Sequence, residues 1–216
     1  KQDSMAIHST ATNVLLGLTL LVFITFGLVT VGTTYITRNL VRGEPVFVMS
    51  DFWYAIKRNW KQALPFGIID GIINGILIFN IYTTIINTSG FLTSMMFWAN
   101  IVLVLLYFFM RCYIYVQMVT FNLTVFKILK NSLIFSLLGL KRNLLALLAI
   151  VIGMFIELMC VIGAGGILLP FGISLPFIIL FATFAYMKVY ASYFKIKEIM
   201  IDPYIAAHPE EAPSSY

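Results

Sequence analysis

Five long apolar runs with few charges inside them leave this chain a narrow choice of folds. They fall at about residues 12–36, 63–86, 92–118, 143–163 and 167–194. At ~1.5 Å per residue, each is long enough to cross ~30 Å of hydrocarbon as a helix. Lipid offers no hydrogen bonds, so a spanning segment must satisfy its own backbone, which an apolar helix does. The expected fold class is therefore all-α: a polytopic membrane helix bundle of about five transmembrane helices plus one or two interfacial amphipathic helices. Composition agrees, since 61% of the 216 residues are hydrophobic and 11% charged, against ~25% charged in soluble domains. Mean hydropathy is +0.96. The spans and their connections occupy residues 1–201 as a single domain, and 202–216 form a polar, poorly ordered tail with Pro203, Pro209, Glu210, Glu211 and Pro213. No room is left for a separate soluble enzyme. The first run lacks the small-residue cleavage pattern of a signal peptide and is read as a span.

The formal charge of +5 does not point to nucleic acid, because the basic residues lie between apolar runs rather than on a polar domain. Arg38, Arg42, Lys57, Arg58 and Lys61 precede the second span, Lys127, Lys130, Lys141 and Arg142 precede the fourth, and Lys188, Lys195 and Lys197 end the fifth. The connections at 87–91 and 163–168 carry no charge. By the positive-inside rule, the basic segments and the C-terminus are cytoplasmic, facing anionic membrane lipids, and the bare turns are external. One uninterrupted first span puts the N-terminus outside. A re-entrant hairpin at Thr30-Val31-Gly32 would put it inside, but would also force Arg38 and Arg42 back into hydrocarbon, which is costly.

The connection at 38–62 is the most informative part outside the spans. Gly43-Glu44-Pro45 is a turn signal, and Ser50 or Asp51 is suited to cap a following helix. Phe52, Trp53, Ile56, Trp60 and Leu64 then share a helical stripe flanked by Lys57, Arg58 and Lys61. This predicts an interfacial amphipathic helix over 50–62 with Trp53 and Trp60 at headgroup level, either as a lipid anchor or as a docking helix for a partner. Residues 124–142, basic around Ile128-Leu129 and Leu133-Ile134, predict a second interfacial segment.

Within the second span Gly67, Gly71 and Gly75 recur at steps of four, the spacing that lets membrane helices approach closely. Asp70 and Asn74 lie on nearly the same face. An ionisable group inside a span is expensive and calls for a partner or a function. Arg111, near the matching end of the third span, is the expected partner of Asp70; an ion- or proton-coupled role is the alternative. Glu157 lies in the fourth span with no basic residue at its depth. It is expected to be protonated or to face a partner protein.

Catalytic signatures are absent. His8 and His208 are both terminal, which removes a histidine dyad or metal cluster from the core, and no P-loop pattern occurs. Gly163-Ala164-Gly165-Gly166 follows a span and reads as a tight turn. Cys112 and Cys160 have no metal-like spacing and read as membrane-helix residues. The sequons at Asn87-Thr88-Ser89 and Asn122-Leu123-Thr124 sit where glycosylation is not expected. Neither a catalytic residue, a cofactor nor a metal is assigned.

Several blocks resemble a known family. Thr30-Val31-Gly32-Thr33-Thr34, then Leu40-Val41-Arg42-Gly43-Glu44, then Asp51-Phe52-Trp53 through Lys57-Arg58-Asn59-Trp60-Lys61-Gln62 look like the YesL-like family of bacterial membrane proteins, domain of unknown function 624. Thr120-Phe121-Asn122-Leu123-Thr124 and Lys130-Asn131-Ser132-Leu133 resemble a later block of that family, so the likeness runs over 14–198. Trp60 stands for the usual phenylalanine and Asn122 where an acid is common, so any role of that acid does not carry over. The resemblance implies a small multispan protein of the bacterial cytoplasmic membrane with no established catalytic residues. Members are frequently encoded beside carbohydrate ABC-transporter and glycoside-hydrolase genes of Gram-positive bacteria. The expectation that follows is a non-enzymatic accessory subunit, associated with a membrane partner such as the permease of a carbohydrate uptake transporter. A small stand-alone transporter or channel is the alternative. The chain is not itself expected to be an ordinary ABC permease, because 124–142 lacks the pattern that docks on an ATPase.

Overall fold

Long apolar segments with little to interrupt them fold as long helices, and nearly every residue here is in one. The computed structural model describes residues 2–87, 90–163 and 169–211, among which no strand occurs. Six helices carry the architecture: α1 (Gln2–Arg42), α2 (Val48–Ile86), α3 (Phe91–Thr120), α4 (Val125–Leu138), α5 (Leu140–Gly163) and α6 (Leu169–Ile196). A π-helical turn (Lys197–Ile201), the short α7 (Asp202–Ala207) and a 3-10 turn (Pro209–Glu211) follow. Among the described residues, α1 from Thr12, α2, α3 and α5 are long and apolar enough to cross a membrane. The fifth expected span, 167–194, falls on α6, whose 28 residues extend about 42 Å. Residues 167 and 168 lie outside the described residues.

Element boundaries depart from the sequence expectations in three places. First, α1 extends past the expected 12–36 at both ends, over Gln2–Arg42, and runs unbroken through Thr30-Val31-Gly32, as the single-span reading requires. Second, the segment at 50–62 and the second span are one helix of 39 residues that passes through Pro65. It begins at Val48, which places Ser50 and Asp51 in the first turn rather than at the cap; Asp51 there still complements the positive end of the helix dipole. Third, part of the expected irregular tail is helical: Pro203 sits in the first turn of α7, where its fixed φ and missing N–H cost nothing, and the His208 ring stacks on Tyr204 at 4.6 Å. Within the turns at 87–91 and 163–168, residues 88–89 and 164–168, with most of the glycine run and of the first sequon, lie outside the described residues.

The Gly43 turn is as expected. Gly43 adopts φ +73°, a conformation closed to most side chains, and its N–H and that of Glu44 return to the Leu40 and Asn39 carbonyls at 3.1 and 3.0 Å. This is a glycine stop that satisfies the last carbonyls of α1.

The chain divides into two compact units, Lys1–Gly32 with Met49–Leu105, and Thr33–Val48 with Leu106–Tyr216. In the first, α1 packs on α2 around Val31, Ala55, Ala63 and Phe66, all buried. In the second, the core joins Tyr113 and Val116 of α3, Phe135 of α4 and Val189, Tyr193 and Ile196 of α6. Helix α5 packs along α6 in the same unit. Helix α4, at 14 residues, reaches only about 21 Å and is too short to cross. It is amphipathic, but its packed side is Ile128, Ser132, Phe135 and Ser136, while Leu133 and Ile134 of the expected stripe stay exposed.

Candidate functional site

In the first unit the glycines of α2 behave differently from one another. A Cβ on Gly67 would lie 2.6 Å from both the Cα and the N of Gly27, so the two backbones are in contact. A Cβ on Gly71 would meet the Phe23 ring, whereas Gly75 has nothing within 4 Å. Two of the three expected packing positions are therefore occupied by the chain's own α1, and the third is bare. Gly27, the residue that makes the contact possible, escaped the sequence reading because α1 shows no four-residue glycine repeat.

Asp70 is fully buried one turn beyond Gly67. The Asn74 side-chain amide donates to its carboxylate Oδ1 at 3.0 Å and to its backbone carbonyl at 2.6 Å. An amide four residues on thus supplies a hydrogen bond to the acid within the same helix. Arg111, the partner expected from the sequence, belongs to the other unit and is half-buried on α3.

The tryptophans of α2 do not pack inward. The inner side of residues 50–63 is marked by Ala55 and Ala63, both fully buried, and by Phe52, whose ring lies against Gly32. Trp53 and Trp60 are 52% and 51% exposed, and Lys61 Nζ sits 5.9 Å from the Trp60 ring. An outward indole pair on a lysine-flanked face suits either a headgroup layer or a protein partner.

The second unit contains polar contacts that the sequence reading missed. Arg38, read as a loop charge, is buried near the end of α1. Its Nη1 donates to the Val119 carbonyl at 2.6 Å, its Nη2 and Nε to Asn39 Oδ1 at 2.7 and 3.2 Å, and its guanidinium stacks 4.6 Å from the Tyr35 ring. Val119 is the penultimate residue of α3, so this arginine satisfies a carbonyl that the helix end orphans. Close by in sequence, Tyr113 Oη donates to Asn143 Oδ1 at 2.9 Å, Asn143 Nδ2 to the Ser136 carbonyl at 3.0 Å, and Gln117 Nε2 to Ser132 Oγ at 2.8 Å. These bonds tie α3, α4 and α5 together, and Gly139 leaves the space that the Tyr113 hydroxyl enters.

Glu157 is half-buried and lines a cleft between α5 and α6 with Cys160, Ile179 and Phe184. Arg142, near the start of α5, meets Glu198 at 3.4 Å, and Lys195 Nζ donates to Glu198 at 2.9 Å. The lysine hydrogen bond holds the Glu198 carboxyl below its ordinary range. Among the described residues no three His, Cys, Asp or Glu side chains gather as metal ligands would. The polar contacts of Arg38, Tyr113, Asn143 and Arg142 join helices to one another.

Residues 10–81 match the family described as Protein of unknown function, DUF624. The resemblance read over 14–198 is thus borne out over about a third of the chain, the third that holds Gly27, Gly67, Asp70 and the tryptophan face. No curated protein and no solved structure matches the chain.

Proposed function

We propose that this multi-pass membrane protein, with its DUF624 match over residues 10–81, is a non-enzymatic accessory subunit that packs against a membrane-protein partner. The carrying observation is Gly75, which continues the small-residue stripe of α2 past the reach of α1 and has nothing within 4 Å. Small residues left uncovered on a membrane helix are where a second helix approaches most closely. The family resemblance supplies the partner class: a carbohydrate ABC permease of a bacterial cytoplasmic membrane. The basic segments then face the cytoplasm together with the C-terminus, and the N-terminus lies outside. Affinity purification after mild solubilisation is expected to bring down the permease, and Gly75→Leu to lose it at unchanged thermal stability. Purification that brings down no membrane protein overturns the reading.

One observation favours a second reading, a small transporter or channel: Asp70 is a fully buried acid in a helix long enough to span. Reconstituted protein would then pass ions or small solutes, and Asp70→Asn would lower the flux at least tenfold. Vesicles without flux, or flux indifferent to Asp70→Asn, exclude this reading.

A further inference from the structure

We propose that the groove between α5 and α6 binds one anionic phospholipid, with its phosphate at Arg142 and an acyl chain laid along the groove. Two clefts of about 530 and 350 Å³ lie between these helices and share Thr183 and Met187, so they form one continuous groove within the second unit. Near Arg142 its walls are mostly apolar, with Leu145, Ala146, Met187, Ala191 and Phe194 beside Thr183 and two tyrosines. Glu157, 15 residues along α5 and so about 22 Å away, marks the far end. A slot this long, mostly apolar between a cationic end at Arg142 and Glu157 at the other, has the amphiphilic layout of a single lipid.

Charge selects the headgroup. Lys141 and Arg142 open α5, and Lys195 and Lys197 close α6 and begin the following turn, against Glu198 and Asp202. The balance at this end of the unit is positive. Arg142 is 46% exposed, and the polar contact it makes among the described residues is the 3.4 Å approach to Glu198. Glu198 has a closer partner in Lys195 at 2.9 Å. Most of the five guanidinium donors thus remain for a phosphate, which the planar fork matches in geometry. Tyr186 and Tyr190 stack at 6.0 Å on the same wall. A second protein helix is the poorer occupant: a Cβ on Gly153, the small residue further along the floor, would already meet Phe184 at 3.1 Å and Leu180 at 3.3 Å. No bare stripe is left there for another backbone.

Native mass spectrometry of detergent-purified protein titrated with phosphatidylglycerol or phosphatidylcholine tests the site. Phosphatidylglycerol is expected to be retained about fivefold better, the effect of one basic contact at a membrane surface. Arg142→Gln is expected to remove that preference while phosphatidylcholine retention stays. Ala146→Phe fills the groove and lowers retention of both lipids, and Lys127→Gln, on α4 and away from the groove, changes nothing. Equal retention of the two lipids, a preference that survives Arg142→Gln, or disulfide-linked dimers of Ala146→Cys, which would seat a second copy in the groove, each overturn the proposal. Should Ala146→Phe fail to fold, the Arg142→Gln comparison decides alone.

Discussion

Gly67→Ala is expected to destabilise the detergent-solubilised protein by ~1–3 kcal/mol, while Gly75→Ala leaves it unchanged or slightly more stable. The asymmetry follows from what each new methyl group meets. At Gly67 it would lie 2.6 Å from the Cα and N of Gly27, and backbone atoms cannot rotate aside as a side chain can. The helices must part, and overpacking of this kind costs ~1–3 kcal/mol. Parting them also loosens the dispersion contacts around Val31 and Ala63, and dispersion is the main attraction between helices in lipid. At Gly75 nothing lies within 4 Å, so only helix propensity acts, which favours alanine by ~0.5–1 kcal/mol. A Cβ on Gly27 would crowd the Ala63 carbonyl as well as Gly67, so Gly27→Ala is expected to cost at least as much alone and, because the Gly67 contact is shared, to add less than its full cost on top of Gly67→Ala. Thermal unfolding followed by circular dichroism checks all four variants. If Gly67→Ala unfolds at the wild-type temperature, the close α1–α2 approach is wrong.

What the sequence made legible were properties that depend on one residue's own chemistry. Long apolar runs set the helices, Gly43 set the turn, and a buried acid could be expected at Asp70 from its place in a span. What it left open depended on which neighbour arrives. The steps of four in α2 mark a close-packing stripe without saying how far along it a partner reaches. In the structure, α1 covers Gly67 and Gly71 through Gly27 and Phe23 and stops short of Gly75. The tryptophans show the same limit. Large apolar side chains at helical spacing are expected to share one face, but Phe52 turns inward and Trp53 and Trp60 outward, and the inward face of residues 50–63 is set by Ala55 and Ala63, whose small size admits a close neighbour. In α4 the buried positions include Ser132 and Ser136, which an apolar pattern cannot reveal, because Ser132 is held there by accepting a hydrogen bond from Gln117.

Arg38 is the sharpest case, and its removal carries the second large effect. A charge-counting rule places this residue outside the membrane as one of several basic side chains, each interchangeable with the next. In the structure it is 7% exposed and binds the penultimate carbonyl of α3 and the neighbouring Asn39 amide oxygen at once. Arg38→Ala would leave the Val119 carbonyl and the Asn39 side chain buried without that donor. Each such group costs ~1–3 kcal/mol, so a loss of about 3 kcal/mol is expected. Lysine at this position keeps the charge but has no planar fork to serve two acceptors, so Arg38→Lys should recover about half of the loss. Hydrogen exchange provides a local readout, with amides of the 121–124 connection exchanging faster in Arg38→Ala as the end of α3 loses its anchor. An arginine that only met lipid headgroups would behave differently. Its replacement would cost less than about 1 kcal/mol, lysine would substitute fully, and the effect would fall as salt screens the surface. Insensitivity of the Arg38→Ala loss to salt, together with incomplete rescue by lysine, therefore separates a built hydrogen-bond clamp from a surface charge.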